Sequence, residues 1–177
     1  AMTQEEIRIR CLYLFLASSR AVEEFKTQLT ATFPAQPLTS QLQLNRVLRK
    51  ELGLLFRYWS TRRIWDLLDR QEDDAKAMNL ALLRLFTDGF RLPKDGSGLR
   101  YAELSTPAEE ARELTQRIAS ALEMAHQPMA DVLHSRILHW RDTVNRQTAD
   151  ALELSIDQLT IKVKEWAQEP PAASPAG

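Results

Sequence analysis

The chain is poor in the residues that stop helices or cross-link chains. A single cysteine, Cys11, in 177 residues cannot form an internal disulfide, a usage that fits a reducing compartment. Five glycines and eight prolines fall well short of the combined share of about 12% in an average protein. An all-β sandwich, which needs turn signals every 8–12 residues or so, is excluded on that ground. Long apolar runs are missing too: the longest, Cys11 to Ala17, has seven residues where a membrane span needs about 20. Arg8 and Arg10 before this run and Ala17-Ser18-Ser19 after it imitate a signal peptide. Glu5 and Glu6 spoil the positive flank, however, and the helical pattern continues to Phe33. The expectation is a cytoplasmic protein with no membrane contact. Neither sign of charge dominates, with 23 Lys and Arg against 24 Asp and Glu, so the chain as a whole is not a general binder of polyanions.

Catalytic and metal-binding patterns are equally scarce. Glu123-x-x-His126 is half of a di-metal bundle motif, and it occurs once where two copies and two further Glu are needed. His134 and His139 stand five apart, off the i, i+4 spacing by which one helix presents two zinc ligands. No Gly-x-Ser-x-Gly elbow and no phosphate loop occurs, and the turn around Asp95-Gly96 and Gly98 lacks the phosphate-loop spacing. Cys11 lies in the most apolar helix, where a thiol is inert. Asp66, Asp69 and Asp73 share a face that Arg62 and Arg70 partly neutralise. The sequence therefore nominates no catalytic residue, no cofactor and no metal.

What is present is helical periodicity. At 44% hydrophobic and 27% charged residues, the chain has the composition of a globular domain. The pattern predicts one all-α domain over residues 1–168, a bundle of five to six helices around a central first helix, and a disordered Pro/Ala-rich tail over 169–177. Thr3 and Glu6 mark the first helix start, and Thr106-Pro107-Ala108-Glu109 marks another with a cap, a first-position proline and a capping Glu. Leu44, Val47, Leu48, Leu52, Leu55, Tyr58 and Trp59 form one apolar stripe. The charge ladder Arg62, Asp66, Arg70, Asp74 would fall on the same face, so a break is expected at Ser60-Thr61. The helix after it should bury Ile64, Trp65, Leu68, Ala75, Leu82 and Phe86 and end at Gly89. A fourth helix should carry Leu114, Ile118, Leu122 and Ala125 on its stripe and end near Pro128. From Met129 to Ala167 the pattern reads as one long C-terminal helix. It would bend near Asn145–Ala149 or overhang the globule and seek a partner.

Three features carry functional expectations. Glu51 stands in the middle of the second apolar stripe, so it must be paired or protonated. An Arg or a Trp N–H from another helix would serve, and a proton-transfer or ligand-binding role is the sharper alternative. Between residues 46 and 63, Arg46, Arg49, Lys50, Arg57, Arg62 and Arg63 face Glu51 as the sole acid, with aromatics interleaved. Such a stretch suits a solvated face, an acidic protein partner or a nucleic-acid backbone. Leu152, Ile156, Leu159, Val163 and Trp166 keep a 4-3-4-3 spacing that suits association with another subunit or partner. The expected function is that of a non-enzymatic interaction or assembly protein, presenting helix faces to a protein partner and able to form a homo-oligomer through its last helix. A small nucleic-acid-binding subunit of a nucleoprotein complex, using the 46–63 face, is the alternative. An enzyme with an unrecognised site is the third.

Overall fold

The computed structural model describes residues 1–33 and 41–169, except for the side chains of 41 and 96–99. These residues form an all-α bundle with no strand: α1 (Gln4–Thr32), α2 (Gln41–Leu67), α3 (Glu72–Phe90), a 3-10 segment (Gly96–Glu103), α4 (Pro107–Ala121), α5 (His126–Glu153) and α6 (Ile156–Gln168). Residues 170–177 of the expected tail lie outside the described residues, as do Thr39 and Ser40, where the apolar stripe of the second helix points to its start; Glu169, the expected first tail residue, caps the end of α6.

The caps sit where local chemistry places them. The Thr3 hydroxyl accepts from the Glu6 N–H at 3.1 Å. The Thr106 hydroxyl accepts from the Glu109 N–H at 3.2 Å, while the Glu109 carboxylate takes the Ser105 N–H at 2.9 Å. These contacts satisfy amides that no preceding turn can reach.

The centre of the bundle is shared by α1, which packs against α2, α3, α5 and α6, and by α2. α2 packs against α1, α3, α4, α5 and the 3-10 segment, and Glu51 through Phe56 are all buried, so its middle is enclosed on every side. The expected break at Ser60-Thr61 is absent: α2 runs unbroken to Leu67, and Ser60 is fully buried. A helix of 27 residues is about 40 Å long and meets different neighbours along its length. The face that Leu44 and Leu55 bury in one half is free to carry exposed Arg62 and Asp66 in the other. The chain turns instead over 68–71, and Trp65, expected in the core, is exposed.

Gly89 does not terminate α3. It lies inside the helix, where an added Cβ would stand 2.3 Å from the Phe15 ring, so its small size serves the close approach of α1. The helix ends two residues later at Arg91, which takes the left-handed conformation (φ 54°) while the Leu92 N–H reaches back to the Thr87 carbonyl at 3.0 Å. α4 ends the same way: Glu123 is left-handed, and the Met124 N–H bonds the Ala119 carbonyl at 2.9 Å. The expected end near Pro128 is displaced, because Pro128 lies in the first turn of α5, where its missing N–H costs nothing. Ala125 is exposed in that turn.

The long C-terminal helix is two helices. α5 continues unbroken through Asn145–Ala149 and stops at Glu153. Arg10, buried in α1, donates to the carbonyls of Ala151 (2.6 Å) and Leu154 (3.1 Å), satisfying the end of α5 from outside. Ser155 and Gln158 then form a complete capping box that starts α6. α6 folds back along α1, so no described helix overhangs the bundle.

Candidate functional site

The stripe expected to associate is occupied by the chain's own first helix. Leu159 and Val163 are buried, Leu152 and Ile156 pack partly buried on the same core, and Trp166 stacks on Tyr13 with ring centres 5.0 Å apart. This corrects the overhanging helix from which self-association was expected.

The basic stretch 46–63 does not form one face; it is divided among three surroundings. Arg46, Arg49 and Lys50 line a groove of about 580 Å³ between the start of α2 and the end of α3. Arg49 is fixed there: its Nη2 donates to the Gly89 carbonyl at 2.7 Å, and its guanidinium lies 4.9 Å from the centre of the Phe90 ring. Burial pulls its pKa below the usual arginine value, Glu23 opposes that shift, and nearby Arg91 adds to it. Arg91 lines the same groove from the end of α3, a residue that sequence reasoning missed because Gly89 was expected to end the helix there. Arg57 lies two turns along α2 in a second groove, of about 360 Å³, where burial also lowers its pKa. Trp65, Leu80 and Leu83 are exposed around that second groove, with Lys76 beside them. Asn79 lines it with both amide atoms buried and unbonded. Leu80 and Leu83 could have been singled out from the sequence, since both lie off the Ala75–Met78–Leu82–Phe86 stripe. Arg62 acts electrostatically on Glu110, and Arg63 keeps a buried Nε without a partner.

Two carboxylates are buried. Glu51, 5% exposed, pairs with Arg100 of the 3-10 segment at 3.3 Å and lies 4.0 Å from Lys50. Burial raises its pKa above the ordinary 4.5, and Arg100 then Lys50 oppose this. Glu110, 2% exposed, accepts from Trp59 Nε1–H at 2.6 Å and from Arg141 at 3.5 Å. Burial raises its pKa too, and the Trp59 bond opposes it. The expected Arg and Trp N–H partners both exist, but they serve different carboxylates. Glu110 escaped notice because an acid in the first turn of a helix reads as a dipole partner.

The other candidates are placed without convergence. His134 and His139 are exposed on α5, and His126 Nε2 lies 3.3 Å from the Ser120 hydroxyl. Cys11 is buried against the Met78 carbonyl, and burial pushes its thiol up to about 12. Among the described residues no group of three or more His, Cys, Asp or Glu could hold a metal ion, and no helix is long and apolar enough to cross a membrane.

The fold places the chain among all-α helical bundles. Comparison with family models, with curated proteins and with solved structures gives no match, so the functional reading rests on the chain's own surface chemistry.

Proposed function

We propose that this protein is a non-enzymatic binding module that takes up an acidic, amphipathic segment of a partner protein on the outer seam between α2 and α3. The observation that carries the reading is the gathering of three large apolar side chains on one groove: Trp65, Leu80 and Leu83 are 39%, 50% and 43% exposed. Apolar side chains scattered singly on a surface need no explanation, but three on one groove favour a partner. Arg57 and Lys76 flank them and favour carboxylates on the incoming segment.

The test compares copurifying proteins for the wild type and for the double variant Trp65→Asp/Leu83→Asp. Both changes fall on exposed positions, so circular dichroism and Tm should stay close to wild type. The expected result is a partner retained by the wild type and lost at least ten-fold by the variant, with Trp65 shielded from acrylamide quenching in the complex. Equal retention by both proteins, or a Trp65 as quenchable in the complex as in the free chain, would overturn the assignment.

A further inference from the structure

The first groove has a chemistry of its own, independent of the apolar docking surface. Among the described residues four cations line it, Arg46, Arg49 and Lys50 from α2 and Arg91 from the end of α3, and no carboxylate does. Acids stand outside the lining: Glu23 on α1 acts on Arg49, Glu51 lies 4.0 Å from Lys50 while engaged with Arg100, and Asp88 and Asp95 lie one and two residues along the chain from Gly89 and Pro93. Arg46 and Arg91 make no ion pair among the described residues. The neighbouring sequence 34–40 and 96–99 contains no Asp or Glu to supply one.

Like charges do not gather for stability. Arg49 is partly desolvated, and nearby Arg91 disfavours its charge further, against the opposing pull of Glu23. Arg49 is nonetheless held in one position by the Gly89 carbonyl and the Phe90 ring, which pre-orients the rest of its planar donor fork. Asn45 adds a buried Oδ1 with no hydrogen-bond partner to the same lining. A multiply charged anion would relieve the repulsion and engage the forks, and a ligand hydroxyl could satisfy Asn45.

We infer that this groove is a binding site for a compact phosphate-bearing molecule with two or more negative charges, held by Arg46, Arg49, Lys50 and Arg91. Arginine forks match phosphate oxygens in pairs, whereas a single carboxylate would leave two or more of the cations uncompensated. The volume of about 580 Å³ exceeds one phosphate and lies in the range of small-molecule and cofactor pockets. Arg57, in the other groove, is outside the site. That separation speaks for a compact ligand over a nucleic-acid strand running the length of α2.

The test titrates the full chain with inorganic pyrophosphate, against sodium chloride at matched ionic strength, by calorimetry and by thermal unfolding. Saturable binding and a rise in Tm that chloride does not reproduce are expected. Arg46→Gln/Arg91→Gln should weaken binding at least ten-fold, because it removes one cation from each wall at exposed positions and leaves the Arg49 anchor intact. Trp65→Asp/Leu83→Asp should leave pyrophosphate binding unchanged, so the two grooves can fail separately. No binding beyond the chloride control would overturn the site, as would binding unaltered in the Arg46/Arg91 variant. A 12-nucleotide single strand that binds more than ten-fold tighter than pyrophosphate, and loses that affinity in the same variant, would reassign the groove to a nucleic-acid backbone.

Discussion

Glu51 and Glu110 are both buried carboxylates beside α2, yet they are held differently. Glu110 reaches across from α4 and receives a short bond from the indole of Trp59, with Arg141 of α5 on its other oxygen. Three helices are tied at one carboxylate. Glu51 belongs to α2 itself and is held more loosely, by Arg100 at 3.3 Å and Lys50 at 4.0 Å, beside a Tyr101 hydroxyl that is buried without a hydrogen-bond partner. Burial raises both pKa values, so desolvation outweighs pairing at each site. The contrast teaches that equal burial does not mean equal worth: what counts is how many buried donors are orphaned when the carboxylate goes.

Truncation should break the comparison most visibly. Glu110→Ala strands the Trp59 N–H and Arg141, and should cost about 3 kcal/mol, the low end for a broken buried pair because Arg141 is partly exposed and can be rehydrated. Glu51→Ala should cost only about 1–2 kcal/mol, since Arg100 keeps Glu113 at 4.0 Å. Urea unfolding of the two variants measures both figures, and equal losses would show that the looser pair is worth as much as the tied one.

Acidity gives a second, smaller separation. A carboxyl that ionises less readily folded than unfolded binds its proton more tightly in the native state. The stability it adds is fully present below the ordinary value of 4.5 and is lost as pH rises through the folded value. Glutamine cannot titrate, so the wild type should lose stability relative to both Glu51→Gln and Glu110→Gln as pH is raised from 4 to 7. Thermal unfolding across that range reads the two differences. A wild type that gains on Glu51→Gln over the same range would mean that Arg100 outweighs burial.

The smallest effect should be a gain. Tyr101 is fully buried, and burial together with the Glu51 charge holds its hydroxyl in the neutral form. Tyr101→Phe removes an unbonded buried hydroxyl, leaves the ring in place and should stabilise the protein by about 0.5–1 kcal/mol. A loss of stability on urea unfolding would show that the hydroxyl has a partner in solution, and that the Glu51 site is tighter than its geometry suggests.

Much of the bundle was legible because helix signals are local. Thr3 and Thr106 each cap through the amide three residues on, and the Ser155–Gln158 box that starts α6 is equally explicit, although the surrounding heptad spacing concealed it. Glu51 was legible as a buried acid because its neighbours on α2 are apolar at helical spacing. Glu110 was not, since its burial is created by Trp59 from another helix. The cations of α2 were legible as a cluster, but the separation of Arg46, Arg49 and Lys50 from Arg57 into two grooves follows from where α3 packs on α2, with Phe90 against Gly53.

By itself the sequence determined that the chain is helical, where several helices begin, and which side chains are too apolar to stay in water. These follow from hydrogen bonds and periodicities that act within about four residues. Only the tertiary structure decided that α2 continues through Ser60, that Arg10 ends α5 from another helix, that Leu159 and Val163 face α1, and that Arg91 joins Arg49 across a groove. The physical reason is that a helix carries no record of its neighbours. Along about 40 Å of α2 the packing partners change, and with them the face that water can reach.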